Sequence, residues 1–194
     1  MEMYLVPLIA SFTLFALMEF GDKTHIAIIT MATRNRALNV FVGALAAFAL
    51  VDGFSVIFGG FITLYVPTFW INVTSGCLFL AFGILNFISS DEDDGVETRG
   101  GSSVLSAFSL VCLAELGDKT QFASIALAAK YGSPLMVFLG IVLASFVLTG
   151  SGIVIGQGLL RFIPRKFLRY IASTLFVIFG VIFLVSAFFG INIL

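Results

Sequence analysis

Two hexapeptides decide the fold: EFGDKT at residues 19–24 and ELGDKT at residues 115–120. We refer to them as the first and the second acidic box. They lie 115 − 19 = 96 residues apart, and after one inserted residue the similarity continues from VFVG (40–43) against VFLG (137–140) to Gly83 against Gly180. One register held over so much of the chain indicates a duplication. Residues 1–88 and 104–194 are predicted to be two copies of one unit, joined by an acidic linker at 89–103.

The composition places both units in a membrane. The chain has 194 residues, of which 60% are hydrophobic, 11% are charged and 23 are Phe, with a mean hydropathy of +1.14. Soluble domains are about half apolar and about a quarter charged. Lipid must therefore be the solvent for much of this surface, and the absence of a basic stripe argues against a nucleic-acid partner.

Six runs of sequence are long and apolar enough to cross a bilayer, which takes about 20 residues. They are Leu5–Thr33, Leu38–Leu64, Phe69–Ile88, Val104–Ala129, Leu135–Leu160 and Phe167–Phe189. Each unit then has three spans, so the second must enter from the side opposite to the first. The sequence predicts an all-α integral membrane protein with six transmembrane helices in an inverted 3+3 repeat, an arrangement whose binding sites lie near the midplane.

Loop charges predict the orientation. The loops after spans 1, 3 and 5 hold most of the basic residues, and the other side holds only Lys130. Positive residues favour the cytoplasm, so we expect a multi-pass cell-membrane protein with both termini outside the cytoplasm. The basic residues on the predicted cytoplasmic side are Arg34, Arg36, Arg99, Arg161, Arg165, Lys166 and Arg169.

The two boxes place ionisable groups inside the apolar runs, where each costs about 2.5–3.5 kcal/mol on insertion scales. On a continuous helix, residues three apart share a face, as Glu19 does with Asp22 and Glu115 with Asp118. Two helices with two carboxylates each form an oxygen-rich cage. Such ligands suit Mn²⁺ and Ca²⁺, and neither box contains the cysteine that zinc or copper sites favour.

Neighbouring residues extend these stripes. His25 and Gln121 lie three positions beyond the aspartates, and His25 is interpreted either as an ordinary hydrogen-bonding group or as a ligand or proton carrier. Gly21 and Gly117 are weak helix formers that would let the helix loosen and free backbone carbonyls as ligands. Asp52, in the middle of the second run, is predicted to be a proton carrier or a partner for Lys23.

Charge balance suggests exchange. Four carboxylates and two lysines, Lys23 and Lys119, leave 4 − 2 = 2 negative charges, which one divalent cation or two protons would neutralise. A low-dielectric site disfavours a bare charge, so the site should hold either the metal or protons. The alternative is a salt-bridge cluster that only holds two helices together.

The doubled box resembles the signature of the Gdt family of manganese and calcium cation–proton antiporters, and the resemblance covers essentially the whole chain. It implies an inverted three-plus-three repeat that moves Mn²⁺ or Ca²⁺ out of the cytoplasm against protons. By analogy, Glu19, Asp22, Glu115 and Asp118 would bind the cation, Thr24 and Thr120 would assist, and Lys23 and Lys119 would tune the charge. His25 departs from the symmetry, because Gln121 stands at its equivalent.

Two other functions are compatible with parts of the pattern. Export of a cationic metabolite would favour fewer converging carboxylates and a larger cavity. An intramembrane aspartyl protease would use two aspartates on different helices, but its Gly-x-Gly-Asp motif is absent, since Phe20 and Leu116 precede the Gly-Asp pairs. No motif for a prosthetic group is present, and the protein is not expected to be an enzyme.

Overall fold

The computed structural model describes residues 2–88, 104–155 and 165–189, which form helices joined by short turns and contain no strand. The helices are α1 (Glu2–Glu19), α2 (Lys23–Arg34), α3 (Ala37–Tyr65), α4 (Thr68–Ile88), α5 (Val104–Glu115), α6 (Lys119–Tyr131), α7 (Pro134–Ile155) and α8 (Arg165–Phe189).

Both predicted units show the same order of elements. A pair of helices separated by a box (α1–α2, α5–α6) is followed by a longer helix (α3, α7) and a further helix (α4, α8). The units interlock, since α1 packs along α7, α3 along α5 and α6, and α4 along α8. Each broken pair therefore lies against the long helix of the other unit, which brings the two boxes together.

Helix length and hydropathy confirm part of the predicted membrane topology. Among the described residues, Ala37–Tyr65, Thr68–Leu85 and Pro134–Val154 can each cross a membrane, and α1 with α2 form a fourth candidate as one broken span. Val104–Glu115 and Ser173–Phe189 are shorter apolar helices. The runs Leu5–Thr33 and Val104–Ala129, each counted as one span, are each divided into two helices at the box.

Several predicted features lie outside the described residues. They are the acidic linker 89–103 with Arg99, the end of the fifth run beyond Ile155, and Arg161. The side chains of Arg34, Arg165, Lys166 and Arg169 also lie outside the description.

Repeat-related glycines allow the units to pack closely. A Cβ added at Gly43 of α3 would collide with the carbonyl oxygen of Val104 and lie 2.8 Å from Cβ of Ala107 on α5. Its equivalent in α7, Gly140, lies in the same way against Leu8 and Ser11 of α1. Small residues at helix contacts are the usual means by which membrane helices approach each other.

We expect Gly43→Ala to lower the stability of the purified protein by about 1–3 kcal/mol, because the backbone oxygen of Val104 must move to admit the methyl group. Gly150→Ala is the matched control, since the nearest atom to its added Cβ is Cε2 of Phe41 at 3.6 Å, an ordinary contact. Thermal unfolding in detergent measures both variants. Equal melting temperatures would contradict this description of the α3–α5 contact.

Candidate metal centre

The first box breaks its helix. Gly21 adopts a φ of +76°, a left-handed conformation that glycine accepts readily, and the helices on either side are bent by 70°. In a continuous helix the N–H of Gly21 would donate to the carbonyl four residues back. Here it donates to Nδ1 of His25, at 3.1 Å. The prediction that this glycine loosens the helix is confirmed.

The second box breaks in the same way. Gly117 has a φ of +79°, and its N–H donates to Oε1 of Gln121 at 2.8 Å. His25 and Gln121 therefore each accept a hydrogen bond from the glycine N–H of their box, through a ring nitrogen in one unit and an amide oxygen in the other. The sequence placed His25 and Gln121 each on a helical stripe but did not reveal that both accept a hydrogen bond from the glycine of their box.

The hydrogen bonds of His25 define its protonation. Because Nδ1 accepts from Gly21, Nε2 carries the proton and donates to the carbonyl oxygen of Leu148 on α7, at 3.2 Å. The ring is thus a neutral imidazole that fastens α2 to α7. This geometry matches the hydrogen-bonding interpretation of His25 and leaves neither nitrogen free to bind a metal.

Three of the four box carboxylates converge. Glu19 ends α1, and Asp22 and Asp118 are the N-cap residues of α2 and α6. Neither aspartate uses its side chain to cap its own helix, so both carboxylates remain available to the centre. One carboxylate oxygen from each of Glu19, Asp22 and Asp118 lies within 4.8 Å of the other two. The N-termini of α2 and α6 add a positive potential that favours negative groups here.

Glu115, the fourth predicted ligand, lies outside this cluster of three. It is 1% exposed, and its Oε2 accepts a hydrogen bond from the Thr120 hydroxyl at 2.8 Å. It still acts electrostatically on Glu19. The structure therefore brings three carboxylates within 4.8 Å of one another and leaves the fourth outside this cluster.

Most of the carboxylate oxygens at this centre are buried without a partner. They are Oε1 and Oε2 of Glu19, Oδ2 of Asp22, Oε1 of Glu115 and Oδ2 of Asp118. A buried polar atom without a hydrogen bond costs free energy, and a buried charge without compensation costs far more. Binding of a cation or of protons at this centre is consequently favoured.

The two lysines of the boxes differ in position. Nζ of Lys119 binds Oδ1 of Asp22 at 3.1 Å and so joins the second box to the first, whereas Lys23 is exposed. Asp52 accepts a hydrogen bond from Ser124, so of its two interpretations the pairing with Lys23 is not observed. The sequence could not reveal that Lys119 is paired and Lys23 is exposed, because both lysines occupy the same position of the same motif.

Two further features adjoin the carboxylates. The hydroxyl of Thr24 is buried and, like that of its equivalent Thr120, acts on Glu115. A cavity of about 10 Å³, room for about one water, lies beside Glu19. Its lining residues are Glu19, His25, Ile28, Phe48, Ser145, Leu148 and Thr149.

Removal of the charge of Glu19 should stabilise the metal-free protein. We expect Glu19→Gln to raise the melting temperature at pH 8 with chelator by about 2–4 °C. On folding without metal, the wild type must either bury the charge of Glu19 or bind a proton there, and glutamine requires neither, at a gain of about 1 kcal/mol. The same variant should lose the rise that Mn²⁺ gives the wild type. Asp22→Asn is the control, since it removes the charge that pairs with Lys119 and should give no such rise. A metal-free Glu19→Gln protein that melts at or below the wild type would contradict this description.

The shared acceptor role predicts which substitutions at residue 25 are tolerated. His25→Gln should keep the Mn²⁺-dependent rise in melting temperature, because Gln121 already makes this bond in the other unit. His25→Leu should lose about 1–3 kcal/mol of stability, since the N–H of Gly21 is left without an acceptor, and should bind Mn²⁺ more weakly. Melting curves with Mn²⁺ and with chelator measure both effects. A leucine variant that binds as the wild type does would refute the role of His25 in positioning the break.

Comparison with known proteins identifies the family. A family model described as "Divalent cation/proton antiporter GDT1" matches the chain twice, at residues 7–94 and 103–190. "Protein PAM71, chloroplastic" of Arabidopsis thaliana is 28% identical over 89% of this chain and 55% of its own length. "GDT1-like protein sll0615" of Synechocystis sp. is 29% identical over 89% of this chain and 94% of its own length. A Vibrio cholerae protein named "Putative manganese exporter" is 30% identical, over 92% and 89% respectively.

The chain spans 55–61% of the length of the chloroplastic relatives from Arabidopsis and rice, and no solved structure matches it. The family model nevertheless covers both boxes and most of the chain. Its members are transporters and not enzymes, which removes the protease interpretation. The chain belongs to the GDT1 family of divalent cation/proton antiporters.

Proposed function

We propose that this protein exports divalent cations, Mn²⁺ or Ca²⁺, from the cytoplasm in exchange for protons. The observation that carries the proposal is the meeting of Glu19, Asp22 and Asp118, which belong to both units, within 4.8 Å of one another. Their buried oxygens without a hydrogen-bond partner favour binding of a positive ligand. Glu115, beside them, is the fourth carboxylate of the proposed site.

In the proposed topology, α1 with α2 and α5 with α6 each form one broken span, which gives six spans in an inverted 3+3 repeat. The same order of elements in both units and the breaks at equivalent glycines support it. Discontinuous helices that meet near the midplane are typical of secondary transporters. The basic loops keep both termini outside the cytoplasm in this proposal.

The donor set favours a hard cation. All of the candidate ligand atoms are oxygens, and both nitrogens of His25 are engaged by Gly21 and Leu148. Oxygen ligands suit Mn²⁺ and Ca²⁺. The name of the Vibrio cholerae relative supports manganese. The cavity beside Glu19, about 10 Å³, has room for about one water.

The position of Lys23 changes the charge count. With Lys23 exposed, the centre has four carboxylates and one lysine, Lys119, which leaves 4 − 1 = 3 negative charges. One divalent cation neutralises two of them, so one proton stays bound with the metal. When the metal leaves, further protons must enter, because the low-dielectric site cannot keep the charge bare. Exchange of metal for protons follows from this balance.

Reconstitution into liposomes with a pH gradient tests the proposal. We expect Mn²⁺ or Ca²⁺ flux that depends on the gradient and exceeds Mg²⁺ flux. Glu19→Gln and Asp118→Asn should each reduce flux at least about tenfold, since loss of a charged ligand costs about 1.4 kcal/mol or more. Lys119→Gln should also reduce flux.

Lys23→Gln is the matched control, because it changes the equivalent residue at an exposed position, and its flux should stay within about twofold of the wild type, a difference of less than about 0.5 kcal/mol. Unchanged flux in a Glu19→Gln, Asp118→Asn double variant that melts as the wild type does would refute the site. Flux that ignores the pH gradient would refute proton exchange.

A further inference from the structure

A fifth acid is buried away from the boxes. Asp52 lies in the middle of α3 and is 1% exposed. Its Oδ1 accepts a hydrogen bond from the Ser124 hydroxyl of α6 at 2.7 Å, and its Oδ2 is buried without a partner. An ionised carboxylate in this setting would be a buried charge with one neutral hydrogen bond, which is unfavourable.

The helices around α3 offer Asp52 no described cation. The helix α7 contains no ionisable residue. In α5, Glu115 acts on Asp52 as a second negative charge, and Cys112, the other ionisable residue, cannot supply a positive one. Of the lysines of α6, Lys119 pairs with Asp22 and Lys130 lies over the ring of Phe183, 5.5 Å from its centroid.

The remaining neighbour of α3 is α2. There Lys23 is exposed and His25 is bonded to Gly21 and Leu148, and the side chain of Arg34, at the far end of α2, lies outside the description. Among the described side chains, therefore, only a proton on Oδ2 can neutralise Asp52.

Asp52 is nevertheless connected to the metal centre. Ser124 lies one helical turn from Thr120 and contacts its carbonyl oxygen at 2.9 Å. The Thr120 hydroxyl in turn donates to Glu115. The other unit has no such line of polar groups, because Thr149 stands at the position equivalent to Asp52 and Ile28 at the position equivalent to Ser124. The connection is specific to one side of the centre.

We propose that Asp52 is a binding site for an exchanged proton, separate from the carboxylates that bind the metal; this rests on the proposed exchange function. Proton binding forms one O–H bond at Oδ2 and makes the side chain neutral, and release returns the proton to water. A divalent cation at the centre offsets the negative charge of Glu115 and so makes an ionised Asp52 less unfavourable. Metal entry thus favours proton release through charge alone.

The test is Asp52→Asn in proteoliposomes, a change that keeps the shape and the acceptor for Ser124 but cannot ionise. We expect Mn²⁺/Mn²⁺ exchange at equal pH to stay within about twofold of the wild type, because the metal ligands are intact. Net Mn²⁺ accumulation driven by a pH gradient should fall at least about tenfold, equivalent to 1.4 kcal/mol, together with the opposing proton flux reported by a trapped pH dye. Ser55→Ala is the control, since its hydroxyl bonds only to the Val51 carbonyl of its own helix; both activities should persist.

A second variant gives an independent readout. Ser124→Ala removes a hydrogen bond that favours ionised Asp52, so the pH midpoint of accumulation should move upward by about one unit. Asp52→Asn protein that accumulates Mn²⁺ as the wild type does would overturn the proposal. So would loss of Mn²⁺/Mn²⁺ exchange in that variant, which would make Asp52 part of the metal site. Wild-type transport without proton movement would instead refute the proposed function itself.

Discussion

The structure depends on one constraint: an apolar bundle encloses more negative charge than its own cations neutralise. Glu19 and Glu115 are almost fully buried, and each of the four box acids has at least one buried oxygen without a partner. Such a group in a low-dielectric surrounding must be hydrogen-bonded, paired or protonated. The only described cation that enters the centre is Lys119, which reaches across from one unit to the other. The centre therefore favours a positive ligand, and the proposed exchange of metal for protons rests on this imbalance.

The helix breaks make the convergence of these acids possible. Four carboxylates on two straight helices would be spread along the axes, whereas a turn at Gly21 and another at Gly117 put a helix end and a helix beginning at each box. Each break must also satisfy the N–H of its glycine, because the chain there has left the helical hydrogen-bond pattern. His25 does so in one unit and Gln121 in the other. Two different side chains thus accept the hydrogen bond of the equivalent backbone N–H.

The sequence could predict what depends on local chemistry and repetition. Two boxes that differ at one position, both in apolar runs, predicted that the acids meet, and glycine within each box predicted a weak point in the helix. Hydropathy could not show that Leu5–Thr33 is broken, because a turn at Gly21 changes the direction of the chain without changing its composition. Nor could it separate Lys23 from Lys119, since their different surroundings arise from packing between units. The same limit applies to Glu115, whose place beside the cluster is set by Thr120.

Duplication gave the two units the same motif but not the same environment. A perfectly two-fold centre would pair Lys23 with Asp118 as Lys119 pairs with Asp22, yet Lys23 is exposed. The centre consequently has one fewer positive charge than the motifs suggest, and a single divalent cation cannot neutralise it. The polar line from Glu115 through Thr120 and Ser124 to Asp52 also exists on one side only. Hexapeptides that differ at one position therefore acquire different electrostatic surroundings, and in the proposed mechanism this asymmetry lets one centre hold a metal and a proton together.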